Sequence, residues 1–280
     1  MSEPSSPKAI LDSRGLRPKK SFGQNFLADA NLSRRIAELA TTPESGSVAE
    51  IGAGLGSLTR PLLERARFVV AIERDRDLVP VLHERFQAQI AAGTLRIEEA
   101  DAKGSDYVAL LSGKPRPHVV CGNLPYQITG PLLEKISGLG SELDRVVLLV
   151  QLEVAERLVA APGTKAWGAL SVFIQAGFRP ERALVVRRGA FYPQPAVDSA
   201  VVVLEPRPTP LASETPAFQA LVQAAFGKRR KKLSNAWHGV LEKSELELEL
   251  AAERAAVDLD ARGETLDVAA FARMARELGP

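Results

Sequence analysis

A mostly parallel α/β sheet with helices on both faces, followed by a small all-α region, is the architecture this sequence predicts. Three observations carry it. From about Val48 to Glu153, β-branched apolar runs alternate with segments whose apolar residues recur at helical spacing. A glycine-rich turn follows the first run. Beyond a proline-, serine- and threonine-rich stretch at 206–216 the strand signals mostly vanish.

In chain order, "SVAEIGA", "RFVVAIER", "TLRIEEA", "HVVCGN" and "RVVLLVQ" are nearly continuous in apolar character, as strands covered on both faces should be. Between them, "SLTRPLLERA", "DLVPVLHERFQAQIAA" and "TGPLLEKISGL" have helical periodicity. "EVAERLVA" and "ALSVFIQAGF" continue the helices, and "RALVVRR" and "VDSAVVVLEP" read as two more strands forming an antiparallel edge. After the linker, "AFQALVQAAFG" and "LDVAAFARMAREL" are helical, with Gly227 and Gly279 at the expected stops. "SELELELAA" alternates with period two but is read as helix, because Glu and Leu are good helix formers. The division expected is a main domain over 1–206, with 1–18 a flexible extension, and a helical domain over 207–280.

The chain has 280 residues, 45% hydrophobic and 25% charged, enough for a full core without covalent staples. One cysteine, Cys121, cannot form an internal disulfide, and no apolar run approaches a membrane span. A cytoplasmic monomer is therefore expected. His83, His118 and His238 are far apart, so no metal is expected. The net charge of +2 hides a basic run, Lys228-Arg229-Arg230-Lys231-Lys232, offset by a glutamate-rich stretch from Glu242 to Glu264. One face could still hold a polyanion. Trp167 and Trp237 are read as packing residues.

"EIGAGLGSL" (50–58) places glycines at 52, 54 and 56, where backbone can approach a ligand closely. It matches a dinucleotide fingerprint at its first two glycines and has Ser57 where the third is expected. Glu73 follows roughly 20 residues on, at the end of the next strand, where an acid can bond both ribose hydroxyls. Asp101 after the third strand is placed to meet an adenine. This pattern fits a nicotinamide cofactor or S-adenosylmethionine equally.

The next strand separates them. It ends in Asn123-Leu124-Pro125-Tyr126. An exocyclic adenine amine is a poor nucleophile because its lone pair is delocalised into the ring. Two acceptors aimed at its two N–H bonds favour a geometry in which that pair points outward. The Asn123 side-chain oxygen can be one, and the backbone carbonyl of Leu124 or Pro125 the other. Tyr126 offers a face for the base, an interaction worth about 1–3 kcal/mol.

With these motifs the sequence resembles the ribosomal RNA small-subunit adenine N6,N6-dimethyltransferases (KsgA-type) over nearly its whole length. Besides "EIGAGLGSLT" and "NLPY", it carries "KKSFGQNFL" (19–27), "FYPQPAVDSAVV" (191–202) and "FGKRRKKLSN" (226–235). The resemblance implies a Rossmann-like S-adenosylmethionine-dependent methyltransferase sheet with a small helical C-terminal domain that docks on rRNA. It implies that Asn25 and Leu27 cap the cofactor, that Gly52 and Gly54 lie beside it, and that Glu73 takes the ribose and Asp101 the adenine. Asn123 would line the methyl-transfer site, with Phe191 a second aromatic wall opposite Tyr126. Lys228, Arg229, Arg230, Lys231 and Lys232 would contact RNA. The implied substrate is two adjacent adenosines in a hairpin loop near the 3′ end of 16S rRNA, dimethylated on N6 as the 30S subunit matures. Leu152 and Lys232 depart from the family's common residues and bear on RNA contact. A large-subunit methyltransferase of the antibiotic-resistance type keeps the same chemistry; the "VDSAVV" and "RRKKLSNA" segments favour the small-subunit enzyme.

Overall fold

The fold comes from a computed structural model, which describes residues 6–41, 46–228 and 230–279. Its strands, in chain order, are β1 (Phe26–Leu27), β2 (Ser47–Ile51), β3 (Phe68–Glu73), β4 (Leu95–Glu99), β5 (His118–Asn123), β6 (Arg145–Gln151), β7 (Phe178–Val186), β8 (Phe191–Tyr192) and β9 (Ser199–Pro206). A seven-stranded sheet has the order β4-β3-β2-β5-β6-β9-β7, and β1 pairs with β8 in a separate antiparallel ribbon. β4, β3, β2, β5 and β6 run parallel, while β9 lies antiparallel to β6. The last two long strands form an edge of the sheet, as expected: β9 pairs with β6, and β7 lies outermost beside β9.

Every residue of β2 and β3 is buried, which is why their sequences are mostly apolar, with Ser47, Glu50 and Glu73 the exceptions. β4 departs from that expectation. It sits at the sheet edge, and only Leu95 of its five residues is fully buried, so Arg96, Glu98 and Glu99 are tolerated. The sheet order reverses at β2, with β3 on one side and β5 on the other. The crevice at the carboxyl ends of those strands is where open α/β sheets bind ligands.

The stretch 79–91, read from sequence as one helix, is two: Val79–Arg85 and Gln87–Ala91, parted at Phe86. The Phe86 ring packs so close to Gly56 that a Cβ there would stand 2.4 Å from Cε2. Several helices were not anticipated, two of them near the N-terminus. Ala30–Ala40 is capped by Asp29, whose carboxylate accepts from the amides of Asn31 and Leu32. Pro7–Ser13 buries Ile10 and Leu11 against Phe26, Leu55 and Leu78. The flexible extension expected over 1–18 is thus folded from residue 7 onward; residues 1–5 lie outside the described residues.

The chain divides into two compact units, 1–135 with 141–155 and 181–206, and 136–140 with 156–180 and 207–280. The helical unit takes in more chain than the expected 207–280. The segment after β9 is no free tether, since Arg207 and Leu211 donate their amides to Gly177 and Ala176 carbonyls, both at 2.8 Å. The core of this unit contains Trp167, Phe173, Phe218, Trp237 and Phe271. Both indoles donate to backbone carbonyls, Trp167 to Leu266 and Trp237 to Leu221, so both tryptophans are packing residues. Glu245–Ala255 is helical despite its alternating sequence. Ser244 and Glu247 cap it reciprocally, and that local bond outweighs the period-two pattern. Among the described residues, no helix is long and apolar enough to cross a membrane.

Candidate active site at the carboxyl ends of β2 and β5

A cavity opens where β2, β3 and β5 end, roofed by residues 21–27. Its floor is the turn after β2. Gly52 and Gly54 have φ of 71° and 59°, a left-handed conformation that glycine adopts at little cost. A Cβ on Gly52 would meet only the Asn123 carbonyl, at 3.6 Å, so the backbone there is open to a ligand. Glu73 Oε2 accepts from the Gly54 amide and Oε1 from the Asp75 amide, both at 2.7 Å. These bonds hold the carboxylate at the cavity wall while burial pushes its pKa upward. Asp101 lies farther along the wall. It accepts from the Lys103 amide and pairs with Arg74 at 3.3 Å, remaining about one-third exposed.

Asn123 ends β5. Its Nδ2 donates to the Asn25 carbonyl at 2.8 Å, which turns the amide and leaves Oδ1 as the atom able to accept from a ligand. The sequence left two carbonyls open as the second acceptor. The structure separates them: Pro125 O already accepts from the Ile128 amide and the Thr129 hydroxyl, each at 3.1 Å. The Leu124 carbonyl is the better candidate. Tyr126 lines the cavity, and its hydroxyl shares a 2.9 Å hydrogen bond with Ser199 Oγ at the start of β9. That bond fixes the ring, and it gives "VDSA" a local role that sequence reading did not assign.

Asn25, Leu27, Gly52, Gly54, Glu73, Asp101, Asn123, Leu124, Pro125 and Tyr126 therefore share one cavity. Phe191 does not join them. It is 5% exposed, paired with Leu27 in the β1–β8 ribbon, and packed in the core with Val186 and Val201. Phe191 thus lies outside the lining of this cavity, beside Leu27, which does line it.

One cavity residue escaped the sequence reading. Glu50, in β2, is 1% exposed, and its Oε2 has no hydrogen-bond partner among the described residues. Burial pushes its pKa up to about 8, opposed by the nearby Thr59 hydroxyl and reinforced by the charge of Glu73. Its place two residues before the glycine turn was the available signal. No cluster of three or more metal-ligating side chains occurs among the described residues.

The fold and cavity define a class: an α/β protein built to seat a nucleoside-bearing ligand beside a strand-end amide and an aromatic ring. A family model described as "Ribosomal RNA adenine dimethylase" matches residues 15–278, and the chain belongs to that family of S-adenosylmethionine-dependent methyltransferases. A relative from Anaeromyxobacter sp. (strain K), "Ribosomal RNA small subunit methyltransferase A", is 43% identical, with 98% of each chain covered. The chain is also similar to the solved structure of the 23S rRNA methyltransferase ErmE, with a TM-score of 0.66, 27% identity, and 91% of this chain and 99% of that one covered. A dimethyladenosine transferase from Plasmodium falciparum shares the fold, with a TM-score of 0.72 at 24% identity, covering 89% of this chain and 95% of that one.

Proposed function

We propose that the protein transfers methyl groups to N6 of two adjacent adenosines in a hairpin loop near the 3′ end of 16S rRNA, giving N6,N6-dimethyladenosines as the 30S subunit matures. The relatives named for the small subunit, 43% identical over nearly the full chain, support that target. The observation that carries the chemistry is the Asn123 amide, turned by the Asn25 carbonyl so that Oδ1 can accept from an adenine amine.

The cavity fits S-adenosylmethionine on two structural grounds: the open backbone at Gly52, and the buried Glu50 oxygen without a partner. Glu73 and Asp101 would hold the nucleoside part. The Gly52–Gly54 turn and Glu50 would hold the methionine part, with Glu50 meeting its ammonium. When bound, the donor supplies a methyl carbon on a positively charged sulfur. Asn123 Oδ1 and the Leu124 carbonyl accept hydrogen bonds from the two N–H groups of the unmethylated amine, localise the nitrogen lone pair and aim it; the once-methylated amine, with one N–H left, uses one of these acceptors. Tyr126, held by Ser199, keeps the base plane fixed, so alignment does most of the work and no strong base is needed. The methylated ammonium is acidic and releases its proton readily.

In the helical unit, Lys228, Arg230 and Lys231 are exposed, while Lys232 pairs with Asp260 at 3.0 Å. The first three form the RNA-contacting surface of this reading; Arg229 lies outside the described residues. The test is incubation of under-methylated small subunits with labelled donor, followed by mapping of the modified nucleotides. Label on two adjacent adenosines of the 3′ hairpin supports the reading. Label confined to separated large subunits overturns it in favour of the 23S-type target, which the likeness to ErmE makes the natural control.

A further inference from the structure

Asp75 lies two residues beyond β3, is 2% exposed and is absent from the cavity lining, yet each of its oxygens receives a side-chain donor from one distant segment, besides the local Asp77 amide on Oδ1 at 3.1 Å. Lys19 Nζ donates to Oδ1, and Gln24 Nε2 donates to Oδ2 at 2.7 Å. Gln24 in turn accepts the Lys19 amide at 2.7 Å through Oε1. Lys19 also pairs with Asp77 at 2.7 Å, and the Asp75 amide donates to Glu73. The segment pinned in this way supplies Phe22, Gln24, Asn25 and Leu27 to the cavity roof, and its Asn25 carbonyl orients Asn123.

A roof segment left loose must be ordered each time a ligand binds, and that ordering lowers affinity. We propose that Asp75 is a positioning residue: through Lys19 and Gln24 it holds residues 19–27 in place as the roof of the donor cavity. It thereby sets donor affinity without touching the donor. The proposal rests on the reading of this cavity as the methyl-donor site. A buried carboxylate is suited to the task because its two oxygens receive two separate donors at once. An amide in its place would turn its own N–H groups toward one of them.

The experiment measures S-adenosylhomocysteine binding by calorimetry, with thermal unfolding of each variant as the folding control. Asp75→Asn should weaken binding roughly tenfold while leaving rRNA affinity unchanged. Gln24→Glu alone should also weaken it, because it sets two carboxylates against each other. Combining Gln24→Glu with Asp75→Asn exchanges the two groups. The introduced carboxylate accepts from the Lys19 amide and from the introduced amide at position 75, whose oxygen accepts from Lys19 Nζ. Affinity should then recover. Unchanged affinity in folded Asp75→Asn, or a double variant no better than the weaker single one, overturns the proposal. Glu73→Ala separates this from the underlying reading. Weakened binding there beside unaltered Asp75 variants sinks the roof device alone, whereas normal binding in Glu73→Ala sinks the donor-site assignment.

Discussion

Asn123 and Glu50 are both polar groups at the ends or interior of buried strands, but their environments divide them. Asn123 donates through Nδ2 to the Asn25 carbonyl, and the proposed reaction uses its oxygen. Asn123→Ala should therefore lower methyl transfer more than tenfold (about 1.4 kcal/mol or more of barrier) while rRNA affinity stays within a few-fold. Single-turnover rates and filter binding check this, and an unaltered rate removes Oδ1 from the reaction. Glu50 has a pKa raised from 4.5 to about 8 by burial, so the folded chain holds its proton more tightly than the unfolded chain. That contribution to stability is full below the unfolded pKa and is lost as pH rises through the folded one. The ligand-free protein should thus lose stability between about pH 5 and pH 8 more steeply than Glu50→Gln does, as urea denaturation would reveal. Binding a cationic donor should lower the Glu50 pKa again and release a proton, readable by calorimetry in buffers of different ionisation enthalpy.

The turn after β2 shows why an element can demand glycine for two separate reasons. Gly56 has φ of 80°, and an added Cβ would lie 2.4 Å from the ring of Phe86, which is 1% exposed. Gly93 has φ of 72° but open space around it. Gly93→Ala should cost about 1 kcal/mol, from the left-handed backbone alone. Gly56→Ala should cost about 2–4 kcal/mol, because overpacking against a rigid ring is added. Chemical denaturation of both variants measures the difference, and equal losses would mean that Phe86 yields freely. The same contact explains a misjudged element. Periodicity predicts one helix across 79–91, but a ring turned toward Gly56 sits where the helix breaks.

For the molecule as a whole, a net charge of +2 says little about RNA, because the basic and acidic residues are segregated. Neutralising Lys228, Arg230 and Lys231 should reduce the slope of log affinity against log salt by about 2, at roughly 0.7–0.9 per phosphate contact. A binding series at several salt concentrations tests it, and an unchanged slope makes these residues an ordinary solvated surface. Lys232 should contribute less, since its partner Asp260 already balances it. Methyl-donor binding should be unaffected in all of these variants.

The alternation of strands and helices, the Gly52–Gly54 turn, and Glu73, Asp101 and Asn123 at their strand ends were legible in the sequence. Hydrophobic period and chain direction are local properties, and the carboxyl ends of parallel strands converge whatever the loops do. Other features needed the chain to fold. The engagement of the Pro125 carbonyl by Ile128 and Thr129, which favours Leu124 in the proposed reaction, is one. The burial of Phe191 beside Leu27 joins segments far apart in the chain, and the grip of Asp75 on Lys19 and Gln24 spans 56 and 51 residues. The raised pKa of Glu50 belongs to the same group, because burial is a property of the packed sheet and not of the residues beside it. Local pattern decided which groups reach the site; tertiary packing decided which of their atoms remain available for chemistry.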